Sequence, residues 1–262
     1  MTTEIARLDL RLRRRSTIGY AVGMAIYVFV IVALYPSFKD DASLNDFTSG
    51  NSTLAALFGA TGSLTSPVGW MNANVYSNFL PLIVLVITLG YGAFCIAGQD
   101  EAATLSLVVT LPRSRRGILW QKAGTLVLVA VPTVVAVWAL TLVGRAFDLT
   151  LDPGHLTGIS LNVLLMGIDF GALAMLIGAI TGTRGEALGI SSGVAAAMYL
   201  ISSLAPVTDW VKPLRFLSLF YWAVGNDQLE DGITVGQVGV LVAVALVLLF
   251  AAVTAFDRLD VH

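Results

Sequence analysis

Asp169 is the one acid set in the middle of a long apolar run, residues 159–181. An ionisable group held in hydrocarbon is costly, so it is a functional candidate by default. It can contact a cationic substrate, carry a proton or pair within a helix bundle. No basic residue falls at similar depth, so a partner would be Asn, Ser, Thr, Tyr or water. A pathway role and a structural role both stay open on sequence. Other chemistry is sparse. The two histidines are His155 and the last residue, His262. No H-E-x-x-H run and no metal-ligand cluster occurs. No G-x-x-x-x-G-K-[ST] loop occurs, so the chain does not itself grip nucleotide phosphates in that way. The expectation is a chain with no catalytic site, no metal and no cofactor of its own. A nucleotide-driven activity would have to draw on a partner that binds ATP.

The composition explains why catalytic groups are few. Of 262 residues, 56% are hydrophobic and only 12% charged, and the mean hydropathy is +0.83. Soluble domains carry roughly a quarter charged residues to cover their surface. The apolar residues come in blocks, and about 20 of them can cross the hydrocarbon core as a helix. Helices satisfy their own backbone there, and the alternating segments of a β-barrel are absent. The single cysteine, Cys95, excludes an internal disulfide and reads as a packed thiol. The N-terminal basic stretch precedes an apolar run through Leu34, too long for a signal sequence and without a following cleavage site. It reads as an anchor that stays.

Six spans are predicted: 18–36, 77–97, 118–143, 159–181, 188–204 and 235–256. Pro36 is expected to stop the first, Pro132 to kink the third and Pro206 to close the fifth. Positive charge sets orientation. With six spans, one side holds Arg7, Arg11, Arg13, Arg14, Arg15, Arg113, Arg115, Arg116, Lys122, Arg184 and Arg258. The other holds only Lys39, Arg145, Lys212 and Arg215. Both termini are therefore expected in the cytoplasm, with the chain in the cell's inner (plasma) membrane. The opposite loops collect acids such as Asp40, Asp148, Asp152 and Asp209.

Four stretches are neither span nor plain loop. Residues 1–17 are expected to form an amphipathic interfacial helix, with Ile5, Leu8 and Leu12 on one face; a simple basic flank is compatible with that. Residues 99–117 open with Asp100 and Glu101, acids that suit a helix N-terminus. They continue with an apolar face of Leu105, Val108 and Val109 and end at Pro112. This is either a short lever between two spans or an ordinary loop obeying the positive-inside rule. Residues 206–232 include an aromatic run, 213–225, too short to span. It is either a re-entrant or interfacial segment, or an aromatic belt at headgroup level. The loop 37–76 is expected to hold a short surface helix near Leu54–Phe58, and Asn51-Ser52-Thr53 spells a glycosylation sequon. Glycines recur at four-residue spacing (Gly19/Gly23, Gly167/Gly171, Gly178/Gly182, Gly189/Gly193), which lets membrane helices approach closely.

The 2–3 loop carries a resemblance. Glu101-Ala102-Ala103-Thr104-Leu105, then Pro112, Arg113, Ser114, Arg115, Arg116, Leu119 and Lys122, resembles the E-x-x-G-T-L…P-x-S-R…I-L-x-x-K pattern of ABC-2 type transporter permeases. Ala103 stands where that pattern has glycine. The segment 204–232, with Ser218-Leu219-Phe220-Tyr221-Trp222, is similar to actinobacterial drug and antibiotic exporters of that family. The resemblance implies an all-α integral membrane protein. It would have six transmembrane helices, an N-terminal interfacial helix, a cytoplasmic coupling helix between helices 2 and 3, and short external re-entrant helices between helices 5 and 6. The whole chain would be one transmembrane domain, the permease of an exporter of drugs, antibiotics, peptides or lipids. Its partners would be ABC ATPase subunits, a second identical or related permease and membrane lipid, with no nucleic acid. ATP and Mg would be bound by the ATPase. Glu101, Thr104, Leu105, Arg113, Arg115 and Arg116 would couple to that ATPase; Asp169 would lie on the substrate pathway; Phe220, Tyr221 and Trp222 would form an external gate. An importer permease fits less well, because Leu111-Pro112 arrives too early for that family's loop. A proton- or ion-coupled transporter centred on Asp169 is the rival from another class.

Overall fold

The computed structural model describes residues 4–40, 63–105, 114–225 and 227–258, and no strand occurs among them. Eight helical elements matter here: α1 (Glu4–Phe38), α2 (Pro67–Glu101), α3 (Arg115–Val143), α4 (Pro153–Thr181), α5 (Arg184–Leu204), the short α6 (Leu219–Val224) and α7 (Gln228–Asp231), and α8 (Val235–Asp257). Six of them, α1 to α5 and α8, are long and apolar enough to cross a membrane. This agrees with the predicted number. The expected surface helix near 54–58 and the sequon lie outside the described residues.

Most helices start earlier than hydropathy alone places them, because their N-termini are written in polar caps. The Ser114 hydroxyl accepts from the Gly117 amide at 3.2 Å and starts α3. Asp152, followed by Pro153 in the first turn, accepts from the amides of Gly154 and His155 at 2.8 and 3.0 Å. Those amides, His155 foremost, hold the Asp152 carboxyl below its ordinary range. Thr234 and Gln237 close a reciprocal capping box on α8. Gly182, at φ 69°, ends α4 in the left-handed conformation that glycine adopts without penalty.

One proline expectation changes. Pro36 does not stop α1, which continues to Phe38. In the last turn a proline forfeits one backbone bond rather than breaking a rod. Pro132 lies inside α3, which is helical on both sides of it. The N-terminal interfacial helix is also not separate. α1 is a single helix of 35 residues, since Ser16 and Thr17 carry no helix breaker. At 1.5 Å per residue it is roughly 50 Å long, longer than the roughly 30 Å hydrocarbon core, and its basic first turns stay packed on the bundle through Asp9 and Arg13. Leu8 and Leu12 face outward, at 53% and 70% exposure, while Ala6 and Asp9 face the protein.

α4 is the central post. It packs against α2, α3, α5 and α8, and the short α6 and α7 rest on it. The most apolar stretches of α2 and α4 are 67% buried, those of α1 and α5 only 17%. α2 and α4 approach through glycines. A Cβ on Gly92 would strike the carbonyl of Gly171, and one on Gly171 would enter the Leu126 side chain. By contrast Gly19, Gly23, Gly189 and Gly193 have open space where a Cβ would stand. Their small faces point out of the bundle with the exposed Ile18, Val22, Ile26, Leu188 and Ile190.

Gly92→Ala therefore forces the backbones of α2 and α4 apart, with an expected loss of about 1–3 kcal/mol. Gly19→Ala meets nothing and is expected to leave stability within about 0.5 kcal/mol. Thermal unfolding of the purified chain in one detergent checks both; equal midpoints would refute the close-approach assignment.

Candidate functional site

The basic ends of the helices meet in a buried polar network. The Lys122 ammonium has no exposed surface and lies 2.6 Å from Gln99 Oε1 and 3.7 Å from Asp9 Oδ2. Gln99 Nε2 donates to Asp9 Oδ1 at 3.3 Å, and the Tyr91 hydroxyl donates to Asp9 Oδ2 at 2.9 Å. α1, α2 and α3 are thus joined by one carboxylate, one ammonium, one amide and one phenol. The sequence reading used Lys122 only as a basic residue of the loop pattern and passed over Asp9, Gln99 and Tyr91. The available signal was a lysine just inside an apolar run, a charge that needs a buried partner. The complementary signal was the one acid in the basic segment 5–15.

The residues of the 2–3 loop extend this tie. Glu101 Oε1 accepts from the Arg184 amide at 2.7 Å. It thereby caps α5, whose own N-cap residue, Thr183, supplies no side-chain bond. The Thr104 hydroxyl and amide both bond the Gln99 carbonyl, at 3.0 and 2.9 Å. Leu105 is fully buried in one cluster with Ile96, Ile118 and Leu119. Arg115 donates to the Phe256 carbonyl at 3.3 Å, and Arg116 pairs with Asp257 at 2.8 Å, which anchors α3 to the end of α8. Arg113, with Val108, Val109 and Pro112, lies outside the described residues. Ala103 has φ 52°. A left-handed conformation penalises a Cβ, which accounts physically for the glycine in the pattern that this position resembles.

A cleft of about 820 Å³ runs beside α1, α2 and α5. At its basic end stand Arg13 and Arg184, whose guanidinium carbons lie 4.9 and 5.6 Å from the Phe94 ring centroid. Ser16, Thr17 and Ser192 add hydroxyls, and Leu82, Leu85, Val86 and Leu89 line the middle. Asn78, Tyr199 and Phe220 close the far end, where the Tyr199 hydroxyl donates to Asn78 Oδ1 at 2.8 Å.

Phe220 packs on both Phe170 and Tyr199, at 5.9 and 5.4 Å between ring centroids. It is buried together with Leu219 and Ala223 of α6. Tyr221 meets Phe216 edge-to-face and lies under the Arg215 guanidinium, and Trp222 Nε1 donates to the Phe216 carbonyl at 2.9 Å. Gln228 of α7 bridges the Trp222 carbonyl to Asn162 of α4, at 2.8 and 3.0 Å. Asp169 is fully buried on α4, and neither carboxyl oxygen has a hydrogen-bond partner among the described residues. It is not among the side chains lining the cleft.

The sequence was read as having no nucleophile elbow, although its letters do occur once in α5. Gly189-Ile190-Ser191-Ser192-Gly193 spells G-x-S-x-G, the letters of a nucleophile elbow. An elbow needs a strained strand-to-helix turn. Here the run is mid-helix in α5, and Ser191 is buried with its hydroxyl given to the Ala187 carbonyl at 2.6 Å. No group of three or more potential metal ligands occurs among the described residues.

Lys122→Met leaves Asp9 buried without its cation, and the expected cost is about 3–5 kcal/mol. Adding Asp9→Leu should recover part of it, a coupling that a thermal-unfolding double-mutant cycle reads; additive losses would refute the pairing. Ala103→Gly should raise the unfolding midpoint, by roughly 1 kcal/mol in stability, and an unchanged midpoint would remove the strain argument.

Comparison with known proteins places these features. A family model described as ABC-2 family transporter protein matches residues 3–261. No curated protein matches the chain.

Proposed function

The chain belongs to the ABC-2 family of transporter proteins, and from that premise we propose that it is the permease of an ATP-driven exporter moving a hydrophobic or amphipathic substrate out of the cytoplasm. It is a multi-pass membrane protein of a transport family whose membrane subunits are not themselves generally catalytic. An ABC ATPase is the partner that the family implies in general. In this reading the basic end faces the cytoplasm and two ATPase subunits dock there. ATP and Mg are bound by those subunits, and a second permease pairs through the open glycine faces of α1 and α5. Drugs, antibiotics, peptides and lipids are the substrate classes considered.

The observation that supports coupling is the continuous tie at the basic end. Glu101 bonds α5, Arg115 and Arg116 hold α8, and the Lys122–Asp9–Gln99 network holds α1 to α2 and α3. Force applied to the 2–3 loop is thereby delivered to five helices through short bonds rather than through slack chain. Glu101, Thr104, Leu105, Arg113, Arg115 and Arg116 are the proposed coupling residues. Phe220, Tyr221 and Trp222 are the proposed gate at the far end. Phe220 both plugs the cleft and packs on α4, so moving α6 would open the path. Asp169 would meet cargo or an ion when the helices around α4 separate. That its oxygens have no partner among the described residues favours that role over a fixed structural pair.

Mild-detergent purification from the native host, with mass spectrometry and an ATP-hydrolysis assay, tests the reading. A stoichiometric soluble partner bearing a G-x-x-x-x-G-K-[ST] loop is expected. Transport that persists on a proton gradient with no such partner would overturn it in favour of an ion-coupled carrier. With the complex in hand, Glu101→Ala plus Arg116→Ala should weaken substrate-stimulated hydrolysis, and unchanged stimulation would reject the coupling assignment. Asp169→Asn should alter substrate range while assembly persists; failure to assemble would make the residue structural.

A further inference from the structure

The cleft beside α1, α2 and α5 is amphipathic along its length, and we infer that its ligand is an acyl-chain amphiphile with an anionic head, seated with the head between Arg13 and Arg184. This deepens the transport reading and rests on it in taking the cleft as part of the cargo path. The argument begins with the two guanidinium groups. Both stack on one ring, Phe94, at 4.9 and 5.6 Å, and Arg13 also lies 5.1 Å from the Tyr91 centroid. Two like charges drawn to one ring repel, and a counter-charge would relieve that repulsion.

The carboxylates of this neighbourhood are engaged elsewhere. Asp9 is held by Tyr91, Gln99 and Lys122, and Glu101 by the Arg184 amide. No carboxylate lies within ion-pair distance of either guanidinium among the described residues. Two planar forks with free donors suit the oxygens of a phosphate or carboxylate. Beyond them the wall turns apolar, through Leu82, Val86 and Leu89. A bare anion would leave that wall unused, and a neutral hydrophobe would leave the arginines unused. The volume of about 820 Å³ lies within the roughly 300–1,000 Å³ of small-molecule sites.

The experiment is native mass spectrometry of the purified full chain in a neutral detergent. It is titrated with phosphatidylglycerol, with phosphatidylcholine of the same chains, or with inorganic phosphate. The expected result is a preference for phosphatidylglycerol of roughly tenfold. That preference should vanish in Arg13→Gln with Arg184→Gln. It should survive in Arg11→Gln with Arg14→Gln, which removes two exposed cations of the same helix outside the cleft. Gly90→Leu should weaken both lipids, because Gly90 lines the cleft with open space at its Cβ position, so the added bulk fills the site without a clash at its base. Thermal midpoints within a few degrees of the parent chain establish that each variant is folded.

Equal retention of the two lipids overturns the inference, as does equal loss of preference in the Arg11/Arg14 control. Displacement of phosphatidylglycerol by inorganic phosphate as strong as by lipid, with Gly90→Leu indifferent, reduces the site to a bare anion site and overturns it too. So does a Gly90→Leu chain that loses a dimer while its lipid binding is unchanged, because a second copy would then be the occupant. None of these results touches ATPase co-purification, so failure here is distinguishable from failure of the transport reading.

Discussion

The buried ammonium of Lys122 is the interaction on which the basic end of the molecule depends. A cation with no exposed surface must find its counter-charge and acceptors inside the protein. Here they come from two other helices, Asp9 from α1 and Gln99 from the end of α2. That requirement fixes three things together. α1 must stay helical back to Asp9, α2 must remain helical to Gln99, and α3 must begin early enough to place Lys122 at their level. The 35-residue α1, the run of α2 to Glu101 and the Ser114 cap of α3 are the local solutions. Once these positions hold, Glu101 is where it can cap α5, and Arg115 and Arg116 are where they can reach the end of α8.

The far end is built on different physics. There the contacts are aromatic and amide: Phe220 between Phe170 and Tyr199, Gln228 bonded to Asn162, Trp70 Nε1 given to the Ile31 carbonyl at 3.0 Å. The ion pairs at this end, Lys39–Asp148 and Lys212–Asp209, are exposed or half-exposed, as is Arg116–Asp257 at the basic end, and such pairs contribute little. The charge that fastens the basic end is the buried Lys122–Asp9 pair. Between the two ends, α4 supplies a nearly solid post whose glycines bring α2 into backbone contact. The outcome is a molecule whose basic end is fastened by charge and whose far end is held by rings and amides that can repack.

The six spans and their alternation of charge were legible in the sequence, because hydropathy and the distribution of arginine are one-dimensional properties. The caps were legible in principle: Ser114, Asp152-Pro153 and Thr234…Gln237 precede apolar runs in recognised patterns. Reading apolar residues alone set the helix starts late. The fusion of the N-terminal segment with the first span was not legible, because amphipathic character says nothing of whether a helix breaks before it enters the bilayer. The apolar stripe was legible: Leu8 and Leu12 turn outward, as a face that meets lipid would. What was not weighed was the acid beside them, Asp9, which turns inward. Pairing across 90 or 113 residues, as in Gln99 with Asp9 or Lys122 with Asp9, leaves no local pattern to find. The proposed coupling residues were singled out by resemblance, while two of the partners they meet, the Arg184 amide for Glu101 and the Phe256 carbonyl for Arg115, are backbone groups that no side-chain motif can encode.

The two ends together define how a permease of this form can respond to force. A hinge has to lie where bonds are few and exchangeable, and a lever where they are charged and buried. The basic end satisfies the second condition: displacing the 2–3 loop without displacing α1 would separate Asp9 from Lys122 and leave each buried charge without its counter-charge. Separating the loop from α5 would uncap that helix. Both penalties favour movement of the helices as a group. At the far end the alternative to a lost ring contact is another ring contact or lipid, at far smaller cost. Motion begun at the basic end is therefore expected to be rigid there and to be absorbed around α6, where Phe220 closes the cleft. The direction of transmission follows from where charge is buried, whatever the cleft binds.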